Sequence, residues 1–190
     1  VETALKRGFP VRVLVRDAEK ARTLFGERVE NAVGDVRQPR SLRGAVRGVR
    51  YVVSALGAGS GARDPENSPE HVDYAGVKAL AEAAKAGGVE HFVLTSSMGV
   101  THPDHQLNRI LDNVLQWKLK GEDAVRASGL NYTIVRPGGL TNEPGGREGI
   151  RILQGDPPDV VGRISRADLA EVLVGVLGRE EAYRKTFEVI

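Results

Sequence analysis

Short apolar segments alternate with segments of helical periodicity along most of this chain. Five runs rich in β-branched residues are apolar at nearly every position: Val11–Val15, Asn31–Val33, Val49–Ala55, Phe92–Thr95 and Tyr132–Val135. Strands that are apolar on both faces are typical of a parallel sheet covered by helices on either side. The alternation therefore predicts an α/β fold with a doubly wound, Rossmann-like parallel sheet.

Helices are predicted between these strands. Asp17 and Ser41 belong to the residue types that cap helix N-termini, and each comes shortly after a predicted strand. The periodicity from about Glu70 to Ala86 predicts a longer helix. Ser165 and Asp168 are spaced to open a last helix, ADLAEVLVGVLG, and the closing residues TFEVI predict a final strand.

Length and composition predict a single domain. The chain has 190 residues, of which 41% are hydrophobic and 27% charged, so it can bury one core and does not belong to the disordered or fibrous classes. From about residue 139 to residue 165 the alternation weakens. We expect this stretch to form a small C-terminal substrate lobe over the edge of the sheet.

The first residues resemble the end of a helix. Val1–Gly8 has helical spacing and stops at a glycine, the residue that most often ends a helix. In a Rossmann-like fold, that helix follows a first strand and a glycine-rich turn, whose N–H groups hold a pyrophosphate. We expect both to lie upstream of Val1.

Charge and residue usage exclude several classes of function. A net charge of +2 produces no strong field for a polyanion, so no nucleic-acid partner is expected. No apolar run approaches the roughly 18 residues of a membrane span. The absence of cysteine excludes disulfides and thiolate nucleophiles and favours a cytoplasmic protein. His102 and His105 are close in sequence but lack a third ligand, so we expect no metal site.

Candidate binding residues follow the predicted strands. The carboxyl ends of parallel strands share one edge of the sheet, which is where open α/β folds bind ligands. In chain order these residues are Arg16; Asp35 and Val36; Ala55, Leu56 and Gly57; Thr95, Ser96 and Ser97; and Pro137, Gly138, Gly139 and Leu140.

Lys118 is a candidate for a positively charged residue that binds a ligand. It interrupts an apolar stripe formed by Leu107, Leu111, Val114 and Val125. A cation in such a stripe usually has a partner or extends to water. Ligand binding and extension into solvent both remain open at this stage.

Several sequence blocks resemble one superfamily. They are VRVLVRDAEKA, VGDV, HVDYAGVKALAEAAKAGGVEHFVLTSSMGVTHPDH, WKLKGEDAVRASGLNYTIVRPGGL and SRADLAEVL. The chain resembles the atypical short-chain dehydrogenase/reductase superfamily in its NmrA-like, or NAD(P)H-binding, branch, especially the small plant and bacterial members. The blocks cover most of the chain in the family's order.

The resemblance implies a dinucleotide cofactor. It assigns Arg16 to the 2′-phosphate of NADP, which favours NADP over NAD; the alternative is a solvated arginine. It places Asp35 and Val36 around the adenine, although a plain Gly-Asp turn also explains them. Ala55–Gly57, Thr95 and Ser96 would lie along the cofactor, and Pro137–Leu140 would meet the nicotinamide carboxamide. A tight turn and a simple strand exit are the alternatives for Ala55–Gly57 and Pro137–Leu140.

The resemblance also implies a departure from the usual chemistry. Ser97 and Lys118 occupy the serine and lysine positions of the superfamily's Ser-Tyr-Lys group, but the tyrosine position holds Val114. This implies an oxidoreductase that acts on a quinone- or flavin-like acceptor without the tyrosine acid. A non-catalytic NADP-binding redox sensor or scaffold is the alternative. Nucleotide-sugar epimerisation, which needs the tyrosine, is disfavoured.

Overall fold

The computed structural model describes residues 1–59 and 65–190. Its strands are β1 (Arg12–Val15), β2 (Glu30–Val33), β3 (Tyr51–Ser54), β4 (His91–Thr95), β5 (Tyr132–Pro137), β6 (Gly139–Thr141), β7 (Ile152–Leu153), β8 (Arg163–Ser165) and β9 (Lys185–Val189). Its α-helices are α1 (Glu2–Lys6), α2 (Ala18–Phe25), α3 (Leu42–Val46), α4 (Val77–Ala86), α5 (Gln106–Ile110), α6 (Val114–Ala127) and α7 (Arg166–Gly175). Among the helices described, none is both long and apolar enough to cross a bilayer.

The strands pair mainly in parallel. The largest sheet has the order β3-β4-β5-β9-β7, in which only β7 runs antiparallel, against β9. Strands β1 and β2 form a separate parallel pair, and β6 pairs in parallel with β8. Within the described ranges, β1 has no partner opposite β2, and β3 has none opposite β4.

Helices cover both faces of the main sheet. Side chains of one strand alternate between two hydrophobic clusters, because successive residues of a strand point to opposite faces. The first cluster joins strand residues to α3, α4 and α6, and its members include Leu42, Leu80, Phe92, Leu94, Val125 and Ile134. The second joins the other strand face to α7, with Val93, Val135, Leu169, Leu173 and Val189. The predicted doubly wound α/β fold is confirmed.

Two of the three predicted caps are confirmed. The Asp17 carboxylate accepts hydrogen bonds from the N–H groups of Glu19 and Lys20, both at 3.0 Å. Ser165 Oγ accepts from the Asp168 N–H at 2.9 Å. The cap predicted at Ser41 is wrong: Ser41 Oγ accepts from the Asp35 N–H at 3.0 Å and lies 2.7 Å from the Gln38 carbonyl. Its hydroxyl closes the preceding loop and is not available to α3.

Strand boundaries differ from the predicted ones where local hydrogen bonds compete. The prediction that β3 begins at Val49 is wrong, because the Val49 N–H bonds to the Val46 carbonyl at 3.1 Å and completes a turn. Pro137 was expected after the fifth strand but is its last residue. A proline is tolerated there because the end of a strand demands no further N–H donor.

Two predicted helices are interrupted. The helix expected over Glu70–Ala86 begins as a π-helix, Glu70–Gly76, and becomes α-helical only at α4. The stripe predicted from Leu107 to Val125 is wrong as a single surface, because Asp112 and Asn113 adopt left-handed backbone conformations with φ of 48° and 55°. Leu107 therefore lies on α5, while Lys118 lies on α6.

The stretch from 139 to 165 is held to the loop after β4. Asp156 is buried, and its carboxylate accepts hydrogen bonds from the Gly99 N–H at 2.7 Å and the Thr101 N–H at 3.0 Å. Although burial alone raises it, these hydrogen bonds leave the pKa of Asp156 below its ordinary value. A role of this stretch as a substrate lobe stays a prediction.

His91 is fully buried at the start of β4. Its Nδ1 accepts from the Gly178 N–H at 3.2 Å, so Nε2 carries the proton and donates to Thr133 Oγ1 at 2.9 Å. Burial disfavours the charged ring and lowers the pKa of His91 from 6.5 to about 4. The folded protein therefore requires a neutral imidazole at this position.

We predict a corresponding loss of stability in mild acid. Because the unfolded chain takes up the proton first, the stability from neutral His91 is complete above pH 6.5 and is lost as the pH falls towards 4. The loss amounts to about 2–3 kcal/mol. Urea unfolding of the parent and of His91→Gln at pH 7 and 4.5 measures it. The variant should lose about that much less on acidification, and identical losses would contradict the assignment.

Candidate functional site

The carboxyl ends of β3, β4 and β5 meet at one edge because these strands are parallel and in register. The hydroxyls of Ser54, Thr95 and Ser96 lie at this edge, where they are buried and make no hydrogen bond to the described residues. Thr95 and Ser96 also line a cavity of about 10 Å³, together with Asp73 and Lys118. Such a cavity is about the size of one water molecule, and its walls combine these polar side chains with the apolar ones of Leu56, Val77 and Leu94.

An ion pair forms the centre of this edge. Lys118 Nζ lies 2.6 Å from Asp73 Oδ1, and the two side chains are 18% and 0% exposed. Asp73 is thus the partner of Lys118, and the sequence pattern does not predict it. The ammonium is therefore held against a buried carboxylate, and the interpretation of Lys118 as a lysine extending into solvent is wrong.

Asp73 also holds the loop that follows β3. Its Oδ2 accepts a hydrogen bond from the Ala58 N–H at 3.0 Å. Asn67 Nδ2 donates to the carbonyl of the same residue at 2.7 Å. Both backbone groups of Ala58 are thus satisfied by side chains from the following segment, so the backbone at Ala58 is held in place. One feature of the sequence marks Asp73, which is a lone acid within the mostly apolar segment HVDYAGV.

Two glycines allow the π-helix to approach its neighbours closely. A Cβ atom on Gly121 of α6 would lie 2.3 Å from the Asp73 carbonyl oxygen, and one on Gly76 would lie 2.7 Å from a methyl of Val36. Next to this contact the rings of Tyr74 and Trp117 stack with centroids 6.0 Å apart. The backbone of α6 therefore touches the π-helix at the residue that binds Lys118.

An open cleft of about 430 Å³ adjoins the ion pair. Its walls come from the loop after β3, the turn before the π-helix and the junction between α5 and α6. The lining residues are Gly57, Ala58, Gly59, Pro65, Asn67, Ser68, Pro69, Asp73, Ile110, Leu111, Asp112, Val114 and Lys118. Mostly apolar walls with a few polar groups are typical of small-molecule sites.

Of the two predicted catalytic residues, Lys118 lines the cleft and Ser97 does not. Val114 and Lys118 share the wall of the cleft, one turn apart on α6. Ser97 does not line this cleft, and its hydroxyl donates to the Met98 carbonyl at 3.0 Å. Ser96 is the serine that shares a cavity with Lys118.

The predicted adenine-side residues lie at the ends of β1 and β2. Arg16 is exposed directly after β1. The Asp35 carboxylate pairs with Arg37 at 2.6 Å, and hydrogen bonds from Arg37, aided by the charge of Arg16, lower the pKa of Asp35. Val36 is 7% exposed and belongs to the core, where it packs at Gly76. The side chain of Val36 is therefore structural, whatever its backbone contacts.

The remaining predicted residues surround the exit from β5. The Pro137 carbonyl accepts from the Met98 N–H at 3.0 Å, and a Cβ on Gly138 would lie 2.4 Å from the Gly162 carbonyl oxygen. Gly139 and Leu140 belong to β6, so they form a paired strand and not a simple exit.

Both histidines of the loop after β4 have structural contacts. His102 Nε2 lies 2.8 Å from the Asp156 carbonyl oxygen, and His105 Nδ1 accepts from the Leu107 N–H at the start of α5. Within residues 1–59 and 65–190, no group of three or more potential ligands is placed to hold a metal ion.

Comparison with known proteins identifies the family. The model of the NAD(P)H-binding family matches residues 1–180, and the chain belongs to that family. Sanguinarine reductase of Eschscholzia californica is 34% identical over 216 residues, which cover 95% of this chain and 79% of that protein. An uncharacterized chloroplastic protein of Arabidopsis thaliana is 37% identical over 199 residues, which cover 95% of this chain but 61% of that one.

A solved structure agrees with this membership. A putative NAD-dependent epimerase/dehydratase from Bacillus halodurans superposes with a TM-score of 0.79 and 27% identity, covering 97% of this chain and 84% of that one. The atypical short-chain dehydrogenase/reductase branch expected from the sequence blocks is confirmed.

The contact between α6 and the π-helix predicts the effect of one substitution. Gly121→Ala forces a methyl group against the Asp73 carbonyl and should lower the free energy of unfolding by about 1–3 kcal/mol. Gly44→Ala is the matched control, since Gly44 is also helical but a Cβ there meets nothing within 4 Å. That control should be neutral or gain up to about 1 kcal/mol. Equal stability of Gly121→Ala and the parent in urea unfolding would show that this contact is dispensable.

Proposed function

We propose that this protein is an NADP(H)-dependent oxidoreductase that reduces a quinone- or flavin-like acceptor without a tyrosine acid. The observation that carries the proposal is Lys118, held by the buried Asp73 on the wall of an open cleft, with Val114 one turn before it. Membership of the NAD(P)H-binding family and the relative named as a reductase support it.

The residues at the carboxyl edge fit a dinucleotide. The buried hydroxyls of Ser54, Thr95 and Ser96 leave hydrogen-bonding capacity where the strands end. Arg16 presents an exposed guanidinium after β1, suited to a phosphate. When bound, the nicotinamide supplies hydride.

Each group of residues then has a distinct binding role. Lys118 holds the ribose of the nicotinamide half, and Arg16 holds the 2′-phosphate. Asp35 and Val36 border the adenine through their backbone, since their side chains are engaged elsewhere. The remaining contacts come from Ala55, Leu56, Gly57, Thr95, Ser96, Pro137, Gly138, Gly139 and Leu140.

Val114 determines the class of acceptor. A valine cannot give a proton to a developing alkoxide, and loss of such an acid typically costs about 10²- to 10⁴-fold in rate. A quinone avoids this cost, because hydride addition yields a stabilised hydroquinone anion that takes its proton from water. Ser97 would exchange its bond to the Met98 carbonyl for one to the acceptor oxygen.

Val114 is also compatible with a second function, a redox sensor or scaffold that binds NADP without turnover. Epimerisation, named for the Bacillus halodurans relative, is not favoured because it needs a proton-exchanging group where Val114 stands. Consumption of NADPH with a panel of quinones and flavins separates a reductase from a sensor. The reductase consumes NADPH with at least one acceptor, whereas the sensor binds it without loss. A cytoplasmic location stays a prediction.

Arg16→Glu tests the choice of NADP. The substitution removes charge-assisted hydrogen bonds worth roughly 1.5–3 kcal/mol each, so NADPH should bind about 10- to 150-fold more weakly. Binding of NADH, which lacks the phosphate, should change little. Calorimetry measures both, and Arg147→Glu, at another exposed arginine, is the control for net charge. Equal losses for NADPH and NADH would rule out the phosphate contact.

Val114→Tyr tests the explanation for the missing acid. Residues four apart lie on the same face of a helix, so the phenol would stand next to Lys118 on the cleft wall. We expect the variant to gain measurable NADPH-dependent reduction of aldehydes or ketones, which the parent does not reduce. Val114→Phe supplies the same bulk without the hydroxyl and should gain none. Carbonyl reduction by the parent itself would contradict the account.

A further inference from the structure

We infer that Asp73 is the positioning residue of this site, which sets Lys118 against the cofactor and holds the backbone of Ala58 after β3. The inference rests on the proposed function, because it takes Lys118 to contact NADP(H). Asp73 itself acts through Lys118 and through the backbone of Ala58.

Burial shows why Asp73 needs both partners. The Asp73 side chain is 0% exposed, so its carboxylate has lost contact with water, and an unpaired buried charge is strongly unfavourable. Its two oxygens face an ammonium at 2.6 Å and a backbone N–H at 3.0 Å. Because the buried carboxylate needs both partners, it holds the Lys118 ammonium and the Ala58 N–H in place.

The local backbone supports a functional role beyond packing. Asp73 lies in the middle of the seven-residue π-helix, a rare conformation that occurs frequently at functional sites. Gly121 lies three residues after Lys118 on α6, so both are on the face that meets Asp73. The missing side chain at Gly121 lets α6 approach until Lys118 reaches the carboxylate.

The Ala58 contact extends the effect to the cleft. Ala58 and Gly57 line the cleft together with Lys118, and Asp73 bonds to the Ala58 N–H. A single side chain thus holds both the ammonium of Lys118 and the backbone of Ala58 on one side of the proposed ribose site. If the charge of Asp73 is removed, Lys118 loses the group that keeps its ammonium in place.

A second buried ion pair on the same helix provides a control. Glu122 of α6 is fully buried, and Arg136 donates to its two carboxylate oxygens at 2.9 and 2.7 Å. Neither residue lines the cleft. Glu122→Gln therefore replaces a buried carboxylate by an amide, as Asp73→Asn does, but away from Lys118.

The test is a double-mutant cycle on NADPH affinity, measured by calorimetry, with melting temperatures recorded in parallel. In Asp73→Asn the amide oxygen still accepts from Ala58, but the NH₂ group faces the ammonium. We expect Asp73→Asn and Lys118→Met each to weaken NADPH binding about tenfold and the double variant to bind no more weakly than Lys118→Met. Glu122→Gln should melt at a lower temperature and keep its NADPH affinity within about twofold.

The possible results separate the inference from the proposed function. Unchanged affinity in Asp73→Asn, or losses that add fully in the double variant, would overturn the inference. Failure of the parent to bind NADPH would instead reject the proposed function. If Asp73→Asn does not fold, the double variant, with its neutral pair, is compared with Lys118→Met, and equal affinities support the inference while a further loss overturns it.

Discussion

The geometry of the candidate site depends on one buried carboxylate that must stay paired. Asp73 is held by Lys118 from α6 and by the Ala58 N–H after β3, so three segments far apart in sequence meet at one point. The glycine at position 121 and the π-helical backbone are what allow this meeting. Because a buried carboxylate without a counter-charge is strongly unfavourable, the position of Asp73 determines where the ammonium of Lys118 lies.

A second set of buried charges joins α6 to the sheet. Glu122 pairs with Arg136 of β5, which also donates to Glu188 of β9 at 3.1 Å. Although burial lowers it, these carboxylates raise the pKa of Arg136 above its ordinary value. Helix α6 therefore contacts both the π-helix and the sheet, while Val114 at its first turn borders the open cleft.

Patterns of local residues predicted much of the fold, but contacts between distant residues were not predictable. Continuous apolar runs indicated the parallel sheet, and the caps at Asp17 and Ser165 follow from side chains within three residues of their donors.

Asp73 was missed because its partner lies 45 residues away, and only the folded backbone brings them together. Ser41 is in the right place for a cap, but bonds to Asp35 and Gln38 compete for its hydroxyl. Periodicity predicted one continuous helix, but the left-handed backbone at Asp112 and Asn113 interrupts it.

A crystal structure of the protein with NADP⁺ would show whether a dinucleotide lies along the carboxyl edge of the sheet against Lys118. We predict that Lys118 Nζ lies within about 3.2 Å of a ribose hydroxyl of the nicotinamide half and stays paired with Asp73, and that Arg16 lies beside the 2′-phosphate. A cofactor bound elsewhere, or bound at this edge with Lys118 turned away from it, would contradict the account.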